Sequence, residues 1–390
     1  MGVKNGADWS ARREVQHASS RRQLVGIDAC MMYILGHLIS YRGHTLPYFV
    51  PLLRSASLAG FDELAREGGL NPDAMLRQAG LNPRHLVDPD TPISALAVRK
   101  LLESSAAASG IEDFGLRLAR TRKLSNLGPL SVLMREAQTA REAIDNLCRY
   151  MRLVNASLLT SVEEHDDWSV VRLEVVLTEA HGSVRQVTEL ALGVLYRSIA
   201  ELLGPRWKPR SVCLEHRPPH GPTLHKTMFG GTVEFNADFN GIVCATQQLS
   251  SPLSPSDSRM ALYARRILDN ALSCAGESSA HNARRTIIAF LPTGRCTADQ
   301  VAKTLGMDRR TLHRHLLAEG TNFSLLLRTV RSEFASRHLI DSDRSLAEVA
   351  DLLGFSTPSA FGFWFRKNFG MTALMWRKSQ GRGAPRVGPE

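Results

Sequence analysis

Apolar residues recur at helical spacing through the first long stretch of the chain. Between residues 46 and 133 they fall every three or four positions, as at Leu58, Phe61 and Leu64, which is the pattern of an amphipathic helix. Residues 137–155 repeat this spacing with a second set of apolar positions. The pattern therefore predicts a mainly helical first part.

The pattern then changes to short β-prone runs. Residues 158–163 and 169–177 are separated by the polar segment EEHDDW, which indicates a hairpin. Helical spacing returns at 184–203. Further short strands are predicted at 211–215, 232–235 and 241–246. Residues 47–250 are therefore predicted to form one α+β domain, with a core large enough to enclose a small molecule.

The Ser/Pro-rich segment LSSPLSPSDS ends this domain and begins a linker. We predict a linker with a connecting helix at 251–280 and an all-α module at 281–380. Residues 1–46 show no clear period and are predicted to be an extension, while the Gly/Pro-rich residues 381–390 are predicted to be a flexible tail. The longest apolar run, residues 29–39, is shorter than the roughly 20 residues that a membrane-spanning helix needs.

The all-α module contains an internal repeat at an offset of 48 residues. The copies are TADQVAKTLGMDRRTLHRHL at 297–316 and SLAEVADLLGFSTPSAFGFW at 345–364. Each opens with a capping box, Thr297 with Gln300 and Ser345 with Glu348, and each continues as Val-Ala-x-x-Leu-Gly. The pattern predicts a short helix that ends at a glycine.

A second helix is predicted to follow each glycine. Asp308 and Ser356 are the predicted N-caps, so that the new helices begin at Arg309 and at Thr357. A short helix, a tight turn with glycine and a second helix form the helix-turn-helix motif. The spacing places Leu312, Leu316, Phe361 and Phe365 on the inward face of the second helices, where we expect core packing.

The distribution of charged residues also favours a nucleic-acid-binding module at the C-terminal end of the chain. The chain carries 48 Lys+Arg and 38 Asp+Glu, a net charge of +10. From residue 281 onward there are 17 basic and 9 acidic residues, so nearly all of the excess lies in the last 110 residues. A basic module after a near-neutral body favours a polyanionic partner. Because a recognition helix reads DNA from the major groove, we expect double-stranded DNA to be that partner.

The predicted DNA-binding residues lie in the first turns of the two second helices. Arginine there pairs either with guanine or with phosphate, and the sequence leaves these alternatives open. The predicted residues are Arg309, Arg310, Thr311, His313, Arg314, Ser356, Thr357, Ser359, Ala360, Phe363, Arg366 and Lys367.

These motifs resemble a known family. MDRRTLHRHLLAEGTNFSLLLRTVR at 307–331, SLAEVADLLGFSTPSAF at 345–361 and FRKNFGMT, with Trp376 and Arg377, resemble the DNA-binding domain of AraC/XylS-type transcription regulators. Residues from about 46 to 253 resemble, more weakly, the arabinose-binding-type regulatory domain of one subfamily, and HKTMFGGTVEFNADFNGIVC at 225–244 carries most of this resemblance. The resemblance implies seven helices, with a long helix at about 323–339 joining two helix-turn-helix units that dock in successive major-groove segments.

The chain departs from the family pattern at two positions. Phe363 stands where the family usually has a basic residue, and Ala373 stands where it usually has proline. The second unit is therefore expected to contribute packing or thymine-methyl contact more than charged readout. The fold of that unit is not put in question.

The resemblance also implies partners. We expect promoter DNA, a small-molecule effector and RNA polymerase to bind, with a homodimer left open, and we expect no cofactor and a cytoplasmic protein. The effector-binding residues cannot be assigned from the sequence. Trp168 and Trp207 are candidates, but aromatic residues like these are more often part of a core.

An enzyme is the main rival class. Some DNA-repair methyltransferases carry a similar module beside a nucleophilic cysteine in a Pro-Cys-His-Arg setting, which none of the six cysteines here has. HExxH, GxSxG and Walker A motifs are also missing from the sequence. His216 and His220 are four residues apart, but Pro218 and Pro219 break the helix that a metal pair would use, so we expect surface loop histidines. No catalytic or metal site is predicted.

Two other binding functions were weighed against regulation. An effector-independent architectural DNA-binding protein is the main alternative, but it would leave the 200-residue first domain without a role. An RNA-binding protein would carry aromatic sheet motifs that this sequence lacks. The sequence therefore predicts a sequence-specific, effector-responsive transcription regulator.

Overall fold

The computed structural model describes residues 51–177, 182–230, 232–253, 258–274, 278–291, 294 and 296–381. The predicted extension at 1–46 lies outside the described residues, as does the predicted tail beyond residue 381. Within the described residues the order of elements is α+β and then all-α, so the predicted fold class is confirmed.

The first part of the chain contains all of the described strands. They are β1 (Leu52–Arg54), β2 (Pro92–Ser94), β3 (Leu158–Glu164), β4 (Trp168–Val175), β5 (Ser211–Leu214), β6 (Thr232–Phe235) and β7 (Gly241–Ala245). Its helices are α1 (Phe61–Glu67), α2 (Pro72–Ala79), α3 (Ala95–Ser109), α4 (Phe114–Ala119), α5 (Pro129–Arg135), α6 (Ala140–Val154), α7 (Arg185–Leu203), α8 (Thr223–Phe229), α9 (Thr246–Leu249) and α10 (Ser258–Cys274).

Seven helices follow among the described residues, the number that the resemblance implies. They are α11 (Ser279–Phe290), α12 (Ala298–Thr304), α13 (Arg309–Ala318), α14 (Phe323–Asp341), α15 (Leu346–Leu352), α16 (Pro358–Phe369) and α17 (Ala373–Gly381). Helix α14 is the predicted long helix, and it runs two residues further than expected.

The main sheet is five-stranded, in the order β3-β4-β7-β5-β6. The predicted hairpin is confirmed, because β3 and β4 pair antiparallel with Leu158 opposite Val175. Strands β5 and β6 pair in parallel, and β7 lies antiparallel between β4 and β5. Helices α6 and α7 pack against this sheet and the elements beside it.

The buried apolar side chains of the described residues form two cores. The first spans the α+β part and includes Ala264 and Leu268 of α10, so this helix of the predicted linker packs with the first part of the chain. Tyr150 Oη donates to Asp269 Oδ1 at 2.6 Å and fixes α10 against α6. The second core joins helices α11–α17, and Val176 packs into it from the end of β4.

A cavity of about 110 Å³ lies within the first core. Leu173 and Val175 of β4 line one side, and Leu190 and Val194 of α7 line another. The core of the α+β part, which the sequence predicts to be large enough for a small molecule, therefore does contain a cavity. Trp168 and Trp207 do not line this cavity; Trp168 stacks on His165 instead, and Trp207 is a buried neighbour of Tyr196.

The C-terminal half of α14 is embedded in the α+β part. Arg337, which is 6 % exposed, places Nη1 at 3.2 Å from Glu174 Oε2 of β4 and donates from Nη2 to the carbonyl of Val175. Asp341 accepts from the backbone N–H of Val184 at 3.2 Å, just before α7. The helix that joins the two helix-turn-helix units is thereby fixed to the sheet and to α7.

Candidate nucleic-acid interface

The first helix-turn-helix unit consists of α12 and α13. Thr297 caps α12 by accepting from Gln300 N at 3.3 Å, and Asp308 caps α13 by accepting from Thr311 N at 2.8 Å. Hydrogen bonds from Thr311 lower the pKa of Asp308, so the cap stays ionised. Gly306 between the helices has φ of 71°, the left-handed conformation that the sequence predicts there.

The second unit consists of α15 and α16, and its first helix matches the prediction. Ser345 N donates to Glu348 Oε2 at 2.7 Å and Glu348 N donates to Ser345 Oγ at 3.2 Å, which completes the capping box. Gly354 has φ of 67°, and an added Cβ there would lie 2.8 Å from the carbonyl oxygen of Leu291. Glycine is therefore required at this turn on two grounds.

The predicted cap of the next helix is wrong by one residue. Thr357, not Ser356, is the N-cap of α16, and its hydroxyl accepts from Ala360 N at 3.1 Å. The physical reason is Pro358, which occupies the first helical position. Because proline disfavours helical geometry in the residue before it, Thr357 stays extended and the helix begins at Pro358, not at Thr357.

The turn of the second unit is consequently one residue longer. The repeat offset of 48 that relates the first helices becomes 49 for the recognition helices, since Asp308 corresponds to Thr357. The positions of Arg310 and Arg314 are therefore taken by Ser359 and Phe363. The second recognition helix replaces two cations by a hydroxyl and an aromatic ring.

The inward faces of both recognition helices are as predicted. Leu312 and Leu316 are 1 % and 0 % exposed, and Phe361 and Phe365 are 1 % and 0 % exposed. Phe365 stacks on Phe369 with ring centroids 4.1 Å apart and meets Trp376 edge-on. Ala373, in the place of the usual proline, is buried beneath this cluster.

The predicted DNA-binding residues lie on the outside of these helices. Eleven of the twelve are exposed, and Thr311 is half-buried because it belongs to the Asp308 cap. Arg309 Nη1 lies 3.4 Å from Asp299 Oδ2. The exposed residues are Arg309, Arg310, His313, Arg314, Ser356, Thr357, Ser359, Ala360, Phe363, Arg366 and Lys367.

Arg310 and Arg314 are one helical turn apart, opposite the buried Leu312 and Leu316, so α13 presents two guanidinium groups side by side. On α16, Phe363 is 76 % exposed and is followed by Arg366 and Lys367. These two faces form the candidate nucleic-acid interface.

Helix α14 supports the interface from behind. Arg331 donates from Nε to the carbonyl of Leu353 at 3.0 Å and from Nη2 to that of Gly354 at 3.1 Å, and its guanidinium lies over the ring of Phe355. These contacts hold the turn of the second unit. On the other side, Glu333 of α14 forms a buried ion pair with Arg284 of α11.

Comparison with known proteins agrees with this geometry. The family model described as the arabinose-binding domain of AraC transcription regulators matches residues 69–253, and a helix-turn-helix domain model matches 301–379. The HTH-type transcriptional regulator VirS of Mycobacterium tuberculosis is 30 % identical over 327 residues, which cover 84 % of this chain and 96 % of VirS. The chain belongs to the AraC family of transcription regulators.

Two other regulators are similar over comparable lengths. The ornithine utilization regulator of Pseudomonas aeruginosa is 24 % identical over 331 residues, which cover 81 % of this chain and 94 % of that protein. The crystal structure of the transcriptional regulator CdpR from P. aeruginosa matches 78 % of this chain and 96 % of its own with 20 % identity and a TM-score of 0.39. The two family models and the similarity to VirS assign the AraC-type architecture and the DNA-binding role to the chain.

The cysteines and histidines considered as candidate catalytic or metal-binding residues lie in environments that do not favour such chemistry. Burial raises the pKa of Cys213, Cys244 and Cys296 to about 11, which keeps these thiols protonated at neutral pH. His216 does not lie on a surface loop as expected, because it is buried with Nε2 3.3 Å from Glu189 Oε1. His220 is exposed and contacts Glu112. None of the described helices is long and apolar enough to span a membrane.

Sequence reasoning missed two buried arginines. Arg337 has the spacing of an ordinary surface charge on a long helix, so nothing in the sequence marks it as a buried contact to β4. Arg122, which lines the cavity, likewise follows α4 without any motif around it. Both are recognisable only from their neighbours in space.

Proposed function

We propose that this AraC-family chain is an effector-responsive regulator that binds specific promoter sequences through both helix-turn-helix units. In this proposal residues 47–250 sense the effector, 251–280 connect and 281–380 bind DNA. The two recognition helices enter successive major-groove segments. The chain acts by binding DNA, the effector and RNA polymerase, without catalysis.

One observation carries the effector response. On strand β4, Leu173 and Val175 line the cavity, while Glu174 between them faces Arg337 of the helix that joins the two DNA-binding units. Because side chains alternate along a strand, a ligand that moves one face of β4 also moves the other. A ligand that favours one arrangement of β4 therefore shifts the population of α14 positions.

DNA specificity is tested first by mapping the sites that the native chain occupies in its own cells. Sharp peaks upstream of a few operons are expected, because two helices that read base edges discriminate sequence. Diffuse occupancy that falls steeply with salt would show phosphate contact alone and would support the architectural alternative.

The effector response is tested at Arg337. Arg337→Met removes the contacts to Glu174 and Val175 without altering either recognition face, so operator occupancy in cells should change while purified protein still selects the same sequence. Arg328→Met, an exposed change on the same helix, is the matched control. Unchanged regulation in the folded Arg337→Met variant would contradict a signal path through β4.

A further inference from the structure

Two arginines line the cavity in the first core, Arg54, which donates to Asp90, and Arg122. Arg122 is 3 % exposed, and it donates from Nη1 to the carbonyl of Ala56 at 2.8 Å and from Nη2 to that of Ser57. Its Nε has no hydrogen-bond partner, and the Ser57 hydroxyl beside it also has none. No carboxylate of the described residues forms an ion pair with Arg122.

The other buried arginines of the described residues each lie beside a carboxyl group. Arg284 contacts Glu333, Arg337 contacts Glu174, and Arg344 contacts Asp238. Arg122 has only backbone carbonyls, and burial lowers its pKa to about 10, which still leaves it charged at neutral pH. A buried cation without a counter-ion is costly, so its persistence at the edge of a cavity points to an anion that enters from outside the chain.

The rest of the cavity lining is mainly apolar, which disfavours binding of a sugar. Apart from a few polar groups, its walls are aliphatic side chains such as Leu147, Leu173, Leu190 and Val194. A sugar would need a hydrogen-bond partner for each hydroxyl, and the aliphatic side chains, which make up most of the lining, supply none; the polar groups of the lining, such as Ser157, Thr160 and Asn126, are the minority. An apolar body fits the walls, and an anionic group fits Arg122 with the free Ser57 hydroxyl.

We propose that the cavity binds a small organic acid, whose apolar body packs between β4 and α7 and whose carboxylate pairs with Arg122. The proposal rests on the proposed effector function and specifies its ligand class. The cavity volume of about 110 Å³ is comparable to the roughly 150 Å³ cavity that holds benzene, so the acid has a short alkyl chain or a single ring.

The test uses the purified full-length chain and isothermal titration calorimetry without DNA. The probes are straight-chain carboxylates of about four to six carbons and a single-ring carboxylate, each paired with the corresponding amide, since the cavity of about 110 Å³ is smaller than the one that holds benzene. Each acid that binds should bind about 10- to 100-fold more tightly than its amide, because only the acid forms a charge-assisted pair. Equal binding of acid and amide, or no binding of any acid, would overturn the assignment.

Variants locate the site. Arg122→Met should abolish the preference for the acid, Arg122→Lys should retain most of it, and Val194→Phe should block acid and amide alike by filling the cavity. Arg66→Met, an exposed change on α1, is the matched control. If Arg122→Met does not fold, two other results test the proposal. They are the ratio of the affinities of Arg122→Lys for acid and amide, and the loss of binding in Val194→Phe. Acid binding that survives Val194→Phe would place the site elsewhere and overturn the proposal.

Failure here is distinguishable from failure of the proposed function. DNA selection is measured separately on the same protein, so a chain that selects an operator but ignores every acid keeps its regulatory role and loses only the ligand class. A chain that binds the acid but selects no sequence would lose the regulatory role instead.

Discussion

The side chains on the outward faces of α13 and α16 differ in chemistry although the helices occupy equivalent places in the repeat. Arg314 corresponds to Phe363 once the longer second turn is taken into account. A guanidinium pairs with guanine or phosphate, whereas a phenyl ring packs against a thymine methyl. The two units should therefore respond differently to single substitutions.

Arg314→Ala should weaken operator binding. If Arg314 contacts a base, the loss is about 1–3 kcal/mol and is confined to one base position. If it contacts phosphate, the loss is similar on all sequences and the salt slope falls by about one charge. Fluorescence anisotropy at several salt concentrations separates these results, with Arg66→Ala on α1 as the control. Wild-type affinity in the variant would contradict the assignment of α13 as a recognition helix.

Phe363→Ala should also weaken binding, but without changing the salt dependence, because no charge is removed. The protein should remain folded, since the ring is 76 % exposed. The same anisotropy titrations, run on operators with thymine replaced by uracil, identify the contacted methyl group. A change in salt slope, or full affinity, would rule out methyl packing by this ring.

Local sequence determines where each helix of the two units begins. Three of the four caps were predicted at the correct residue, because a hydroxyl or carboxylate followed by its capped N–H is a short-range feature. The fourth was misplaced because the repeat was aligned without a gap. Pro358 is the local signal that would have corrected it.

Thr357→Ala should destabilise the second unit by about 1 kcal/mol, because the hydroxyl caps α16. Ser356→Ala is the matched control and should change stability by less than about 0.5 kcal/mol, as expected for an exposed residue without a capping role. Urea denaturation followed by tryptophan fluorescence measures both, since Trp364 lies in this unit and Trp376 of α17 packs against its Phe365 and Phe369. A larger loss of stability in Ser356→Ala than in Thr357→Ala would show that Ser356 is the N-cap.

At the scale of the whole molecule, several buried ionisable side chains lie together where α14 contacts the sheet. Burial and the neighbouring Glu215 raise the pKa of Glu174 to about 8, against the attraction of Arg337 and Arg172. Burial also raises the pKa of Glu215, which faces Arg337, Asn240 and Arg344. His338 is held neutral, because burial, Arg337 and Arg344 lower its pKa to about 3.

Stability should therefore depend on pH through Glu174. Between the ordinary value of 4.5 and the folded value of about 8, the folded protein binds more protons than the unfolded chain, so the free energy of unfolding falls as pH rises. Glu174→Gln removes this loss and should raise the Tm at pH 8 by at least about 2–4 °C, the shift that 1 kcal/mol produces in a domain of this size. At pH 5 the variant should resemble the wild type.

Calorimetric scans of both proteins from pH 5 to pH 8 provide the measurement. Glu67→Gln, an exposed change on α1, should leave the profile unchanged. His338 contributes with the opposite sign, because its lowered pKa costs stability as pH falls below its ordinary value. The difference in Tm between wild type and Glu174→Gln at each pH therefore reports the contribution of Glu174 alone. Identical dependence of Tm on pH in the two proteins would refute the raised pKa of Glu174.

The helix-turn-helix units, their glycines, their buried leucine and phenylalanine faces and the basic character of the module are all predictable from the sequence. These features depend on residues within about one helical turn of each other, where spacing and capping fix the geometry. The hairpin of β3 and β4 was predictable for the same reason. The order of the five strands was not, because β7 lies between β4 and β5 through pairing across long sequence separations.

The cavity, the absence of a carboxyl partner for Arg122 among the described residues and the burial of Arg337 against β4 become visible only in the folded structure. An arginine on a helix or in a loop looks the same in sequence whether it meets water, a carboxylate or nothing. Its role depends on which distant residues pack around it, as Glu174 does for Arg337 over 163 positions of chain. Burial and pairing are properties of neighbours in space, and a sequence specifies those only through the complete fold.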